Sequence, residues 1–152
     1  MKLYNKILVC LILPLVVLFT TKPVIAEPIE IVQPINLTIE KQIDYFSALY
    51  KTDSNLIKKV MECESNGDHS NISDGGRSKG IFQFQKPTFL WMEKEFGEDL
   101  NYESQFDQIK LATWAIANGY GSNWTAWRAI KNGGTYSFYS NQLHRSFKVT
   151  CK

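Results

Sequence analysis

Asn55-Leu56-Ile57-Lys58-Lys59-Val60-Met61-Glu62-Cys63-Glu64, followed by Ser65-Asn66-Gly67, is the stretch on which the fold turns. Thr52, Asp53 and Ser54 are each capable of capping a helix start, and Asn66-Gly67 supplies a stop. Ile57, Val60, Met61 and Glu64 recur at i, i+3, i+4 and i+7, so they share one face of that helix. The face is apolar, directed at a core, and ends in a carboxylate. Burial makes ionisation costly, and the negative end of the helix dipole acts the same way, so Glu64 is expected to keep its proton to higher pH. An acid still protonated near neutrality is what a glycosidase needs to protonate a leaving oxygen. The competing reading is a carboxylate that merely caps local backbone amides. Glu62 is the control. It stands about 200° away on the wheel and four residues after Lys58, where an exposed ion pair is expected.

Around this helix the pattern predicts a mainly α single domain with a small irregular or β-hairpin wing. Ile43, Phe46, Ala48, Leu49 and Tyr50 mark a first helix from about Glu40. Pro87 opens a third, with Phe89, Leu90, Met92 and Phe96 as its packing face and Gly97 as its stop. A fourth runs from about Ser104 to Ala117, and Asn123 is placed to cap a short fifth holding Trp124, Trp127 and Ile130. Between the second and third helices, residues 68–80 are polar and glycine-containing, a loop or small hairpin with Ile81–Gln85. Asp74, before Gly75-Gly76, reads as a turn residue.

The chain has 152 residues, 44% hydrophobic and 13% aromatic, enough for one core and not comfortably for two. Residues 1–26 read as a secretory signal peptide: a basic start, an apolar run from Ile7 to Phe19 and small residues before a cut after Ala26. That run is short for a bilayer span and is interrupted by Pro14, so no stable membrane span is expected after processing. Lys2, Lys6 and Lys22 would leave with the segment, taking the formal charge from +2 to −1 and arguing against a nucleic-acid partner. Residues 27–40, with Pro28 and Pro34, read as an extended leader, 41–132 as the domain, and 133–152 as a tail without a motif. Cys63 and Cys151 remain after export. In an oxidising compartment they either form one bridge or stand as independent thiols. His69 and His144 have no ligand-like spacing, so neither metal nor cofactor is expected.

Three segments, taken together, resemble the signature of the lytic transglycosylase superfamily: Glu64-Ser65, Ser78-Lys79-Gly80-Ile81-Phe82-Gln83-Phe84 with Pro87-Thr88, and Ala115-Ile116-Ala117-Asn118-Gly119-Tyr120-Gly121. The resemblance covers roughly residues 45–131. It implies a lysozyme-like fold and peptidoglycan glycan strands as the partner, cut by a monomeric enzyme with Glu64 as its single acid and base. It also implies cleft roles for Ser65, Gln83 and Asn118. Ala117 departs from the pattern, since an aromatic is usual there. Gln85, Tyr120 and Trp124 are added as cleft-lining candidates, whereas Trp91, Trp114 and Trp127, on helical faces, read as core packing. Cys63-Glu64-Ser65 with Gly80–Phe84 is similar to resuscitation-promoting factors, in which a cysteine beside the catalytic glutamate joins a late one, implying a Cys63–Cys151 bridge. Other readings stay open. One is a hydrolytic lysozyme or endolysin, which needs a second carboxylate such as Asp68 or Asp74. Another is a non-catalytic peptidoglycan-binding wall protein.

Overall fold

A computed structural model describes residues 34–140 and 144–151, apart from the Phe138 side chain. The expected signal peptide and the leader up to residue 33 lie outside the described residues. Helix α2 spans Ser54–Ser65, and Asp53, of the three candidate caps, accepts the Asn55 amide on its Oδ1 at 2.9 Å. Asn66 ends the helix in the left-handed conformation, φ 57°, its N–H bonded to the Glu62 carbonyl. Ile57, Val60 and Met61 are buried and Glu62 is exposed, so the helical wheel is obeyed. Lys58 does not pair with Glu62. It reaches instead to Asp44 on α1 (Ile39–Tyr50), Nζ to Oδ1 2.6 Å, because α1 packs alongside α2.

Helix α4 (Gln105–Ala117) is the centre of the domain. Ser104 caps it through its Oγ, and Gln108, Ile109, Leu111, Ala112, Thr113, Ala115 and Ile116 are all buried. A helix buried nearly all round cannot pack in one layer, and α1 and α3 (Lys86–Phe96) flank it. On α3, Phe89 and Met92 are buried, but Leu90 is 48% exposed, correcting its place on the packing face. The leader is also shorter than expected. Pro34–Asn36 form a 3-10 turn and the buried Gln42 donates to the Ile35 and Leu37 carbonyls, so the chain is already tied to α1 before residue 40.

The wing is a three-stranded antiparallel sheet: β1 (Ile72–Ser73), β2 (Ser78–Lys79) and β3 (Phe84–Gln85), with Ser73 opposite Ser78 and Ser78 opposite Gln85. Helix α5 (Thr125–Lys131) follows a 3-10 turn over Tyr120–Asn123. Asn123 closes that turn, its Nδ2 donating to the Tyr120 carbonyl at 2.8 Å, and does not cap α5. The segment read as a motif-free tail is a hairpin of β4 (Thr135–Ser140) and β5 (Arg145–Thr150) packed on α5. Cys151 is buried and joined to Cys63 by a disulfide with Cα atoms 5.6 Å apart. Among the described residues, no helix is long and apolar enough to cross a membrane.

Candidate active site

Glu64 occupies the last turn of α2, at the wall of a cleft of about 270 Å³ between the wing and the start of α5. Burial pushes its carboxyl up from 4.5 to about 7. The Ala126 amide, in the first turn of α5, donates to Oε1 at 3.4 Å and opposes the rise, while the negative charge of Asp74 adds to it. The amide that Glu64 accepts is therefore not one of the local amides of the loop after α2 but one 62 residues later in the chain. Glu64 accepts a backbone amide, and it is still held protonated near neutrality.

The opposite wall is the wing, which contributes Ser73, Asp74 and Ser78, together with Phe84 and Gln85 of β3 and Gln83 from the turn before it. Thr88 on α3 and Asn123, Trp124 and Thr125 at the entry to α5 complete the cleft. The return segment is pinned by side chains from all around it. Ser65 Oγ donates to the Ile81 carbonyl (2.7 Å), and Trp124 Nε1 donates to the Phe82 carbonyl (2.9 Å). His69 Nδ1 accepts the Ile81 amide (3.3 Å), and the fully buried Gln108 donates to the Tyr102 carbonyl (2.9 Å) directly beneath Gly80. A Cβ on Gly80, whose φ is +82°, would lie 2.4 Å from the Gln108 amide, so the wing approaches α4 as closely as it does only because residue 80 has no side chain.

Gln83 takes up the left-handed conformation, φ 48°, costing about 1–2 kcal/mol for a residue with a Cβ. Its own amide offsets this. Nε2 donates to the Asn71 and Gly80 carbonyls (3.0 and 2.8 Å), and Oε1 accepts from Ser73 Oγ (2.6 Å). The side chain thus shapes the wing as well as lining the cleft. Asp74 is left-handed too (φ 53°) and starts a tight turn, as its place before two glycines implies. It is also an exposed carboxylate on the cleft, with Oδ2 accepting from Ser78 Oγ at 2.7 Å.

Of the residues singled out in the sequence, the structure brings together Glu64, Gln83, Gln85 and Trp124. Three do not join them. Ser65 is buried, and its hydroxyl is committed to backbone carbonyls, so it positions Glu64's neighbour segment and does not meet a ligand. Asn118 ends α4, exposed, with Nδ2 on the Trp114 carbonyl (2.9 Å). Tyr120 packs between Trp91 and Trp114 beside the cleft. Sequence reasoning missed Ser73, Ser78 and Thr125, whose small hydroxyl side chains carry no period. Among the described residues, no group of three or more His, Cys, Asp or Glu side chains is arranged to hold a metal ion. Comparison with known protein families and with curated proteins finds no match for this chain.

Proposed function

We propose that this protein cleaves the β-1,4 bond between N-acetylmuramic acid and N-acetylglucosamine in peptidoglycan, as a lytic transglycosylase with a lysozyme-like domain. The observation that carries the reading is Glu64: a carboxyl on a core-facing helix end, open to a polar cleft and held at about 7 by burial. Protonated Glu64 donates to the glycosidic oxygen as the C1–O bond breaks, while the substrate's N-acetyl oxygen bonds to C1. The resulting Glu64 carboxylate then takes the proton of the sugar's 6-hydroxyl, whose oxygen displaces the acetyl oxygen and closes a 1,6-anhydro ring. The motifs around Glu64, Gly80–Phe84 and Pro87-Thr88 support the substrate class. Residues 1–26 support export, and the Cys63–Cys151 bridge suits an oxidising compartment.

Asp74 favours a second reading. Its carboxylate shares the cleft with Glu64, so water guided by Asp74 is an alternative to the 6-hydroxyl, and the cut would then be hydrolytic. Digestion of purified peptidoglycan, followed by mass analysis of the fragments, separates the two outcomes. Anhydro-muramic ends are expected, whereas reducing ends point to hydrolysis. Glu64→Gln run in parallel is expected to release no fragments. Undiminished release by that variant would refute the assignment of Glu64.

A further inference from the structure

We propose that Trp91, braced by Tyr120, is a sugar-stacking subsite that continues the Glu64 cleft along α3, an inference that rests on reading that cleft as a glycan site. Trp91 is 43% exposed, and this is not the packing role that its helical position suggested. It follows Thr88, which lines the cleft, by three residues, placing it on the same helix face about 4.5 Å further along the axis. Its indole meets the Tyr120 ring edge-to-face, centroids 5.4 Å apart at 83°. Tyr120 is in turn backed by Trp114 at 5.7 Å, and Trp114 by Phe96 at 5.1 Å. Asn123, another cleft residue, holds the Tyr120 carbonyl. The row of rings is anchored in the domain and ends in a large aromatic surface left in water beside the catalytic cleft.

Packing alone does not explain an indole that is rigidly buttressed and yet open. Aromatic rings bury large area at small entropic cost, and the C–H face of a pyranose lies flat against them. Leu90, also exposed, stands about 200° around the helix from Thr88, so the exposed apolar side chain on the Thr88 side of α3 is the Trp91 indole. The ligand is a β-1,4-linked N-acetylhexosamine strand long enough to run from Glu64 to Trp91. A ring stacked there contributes only once the oligomer spans both positions.

The test uses full-length Glu64→Gln, which removes the acid, and calorimetric titration with β-1,4-linked N-acetylglucosamine dimer and hexamer. Adding Trp91→Leu, which keeps apolar bulk without a flat face, is expected to weaken hexamer binding about tenfold and leave the dimer unchanged. Trp91→Tyr is expected to stay within about threefold of the parent on hexamer. Hexamer affinity unaltered by Trp91→Leu, or dimer and hexamer weakened equally, overturns the subsite while leaving the glycan cleft standing. No binding of either oligomer by Glu64→Gln overturns both. The Tyr variant keeps the question answerable if the Leu variant fails to fold, because tenfold weakening by Tyr also counts against stacking.

Discussion

Replacing Glu64 by Gln should stabilise the protein, and only above the pH at which the free carboxyl would ionise. In the folded chain the carboxyl is held at about 7 against 4.5 when unperturbed. Since the folded-state value is raised, the native protein binds the proton more tightly than the unfolded chain does. The stability attached to that proton is fully present below about 4.5 and is lost as pH rises through about 7. The difference corresponds to about 3 kcal/mol, at roughly 1.4 kcal/mol per tenfold change. Glutamine imitates the protonated acid in shape, retains an oxygen to accept the Ala126 amide, and cannot ionise. Urea unfolding of both proteins, disulfide intact, should therefore give similar stabilities at pH 4, with the variant up to about 3 kcal/mol more stable at pH 8. Every other titrating group is common to both proteins and cancels in the difference. A gap that is the same at both pH values would refute the argument that burial holds this proton, and a variant destabilised at pH 8 would show that ionised Glu64 is well solvated. With the expected gap at pH 8, the ionised carboxyl is a group that costs the fold stability, the trade-off recurrent in catalytic sites.

Three further outcomes follow from particular contacts. Asp74→Asn removes a negative charge that helps hold the Glu64 proton, so the alkaline limb of the pH–activity profile, where Glu64 loses that proton, is expected to move to lower pH. Loss of activity at all pH values, with reducing ends among the wild-type products, would instead make Asp74 a participant. Reducing the Cys63–Cys151 bridge, which closes an 88-residue separation, or replacing both cysteines by Ser, should cost roughly 4–5 kcal/mol of unfolding free energy by the loop-entropy relation. A melting temperature unchanged on reduction would contradict this. Gly80→Ala combines a left-handed backbone with a clash on the buried Gln108 amide and should cost more than about 2 kcal/mol, read from denaturant midpoints, whereas Gly76→Ala, with open space around its Cβ position, should cost less.

Helices α2 and α4 were legible because their start and stop signals act within a few residues, and α2 carries a one-sided apolar period as well. Asp53, Asn66, Ser104 and Gly97 act locally, so a linear reading could place them to within a residue or two. The two glutamates of α2 were separable for the same reason, since a wheel needs only the helix itself. What failed were contacts between segments far apart in sequence. Lys58 chose Asp44 over Glu62 because α1 lies beside α2, and Ser65 turned its hydroxyl inward because Ile81 passes beneath it. The tail was opaque because its strands pair with each other and pack on α5, which no motif in it records.

The sequence by itself determined that Glu64 ends an apolar helix face and must resist ionisation, since burial follows from period and the penalty from electrostatics. Only the tertiary structure decided what faces that carboxyl. It set the Ala126 amide against Oε1, folded Asp74 from a turn into the cleft, and left Trp91 exposed on α3 three residues beyond the cleft-lining Thr88. Those relations join the second helix to residues 10 to 62 positions later, and close approach of that kind is a property of the packed chain, not of any segment of it.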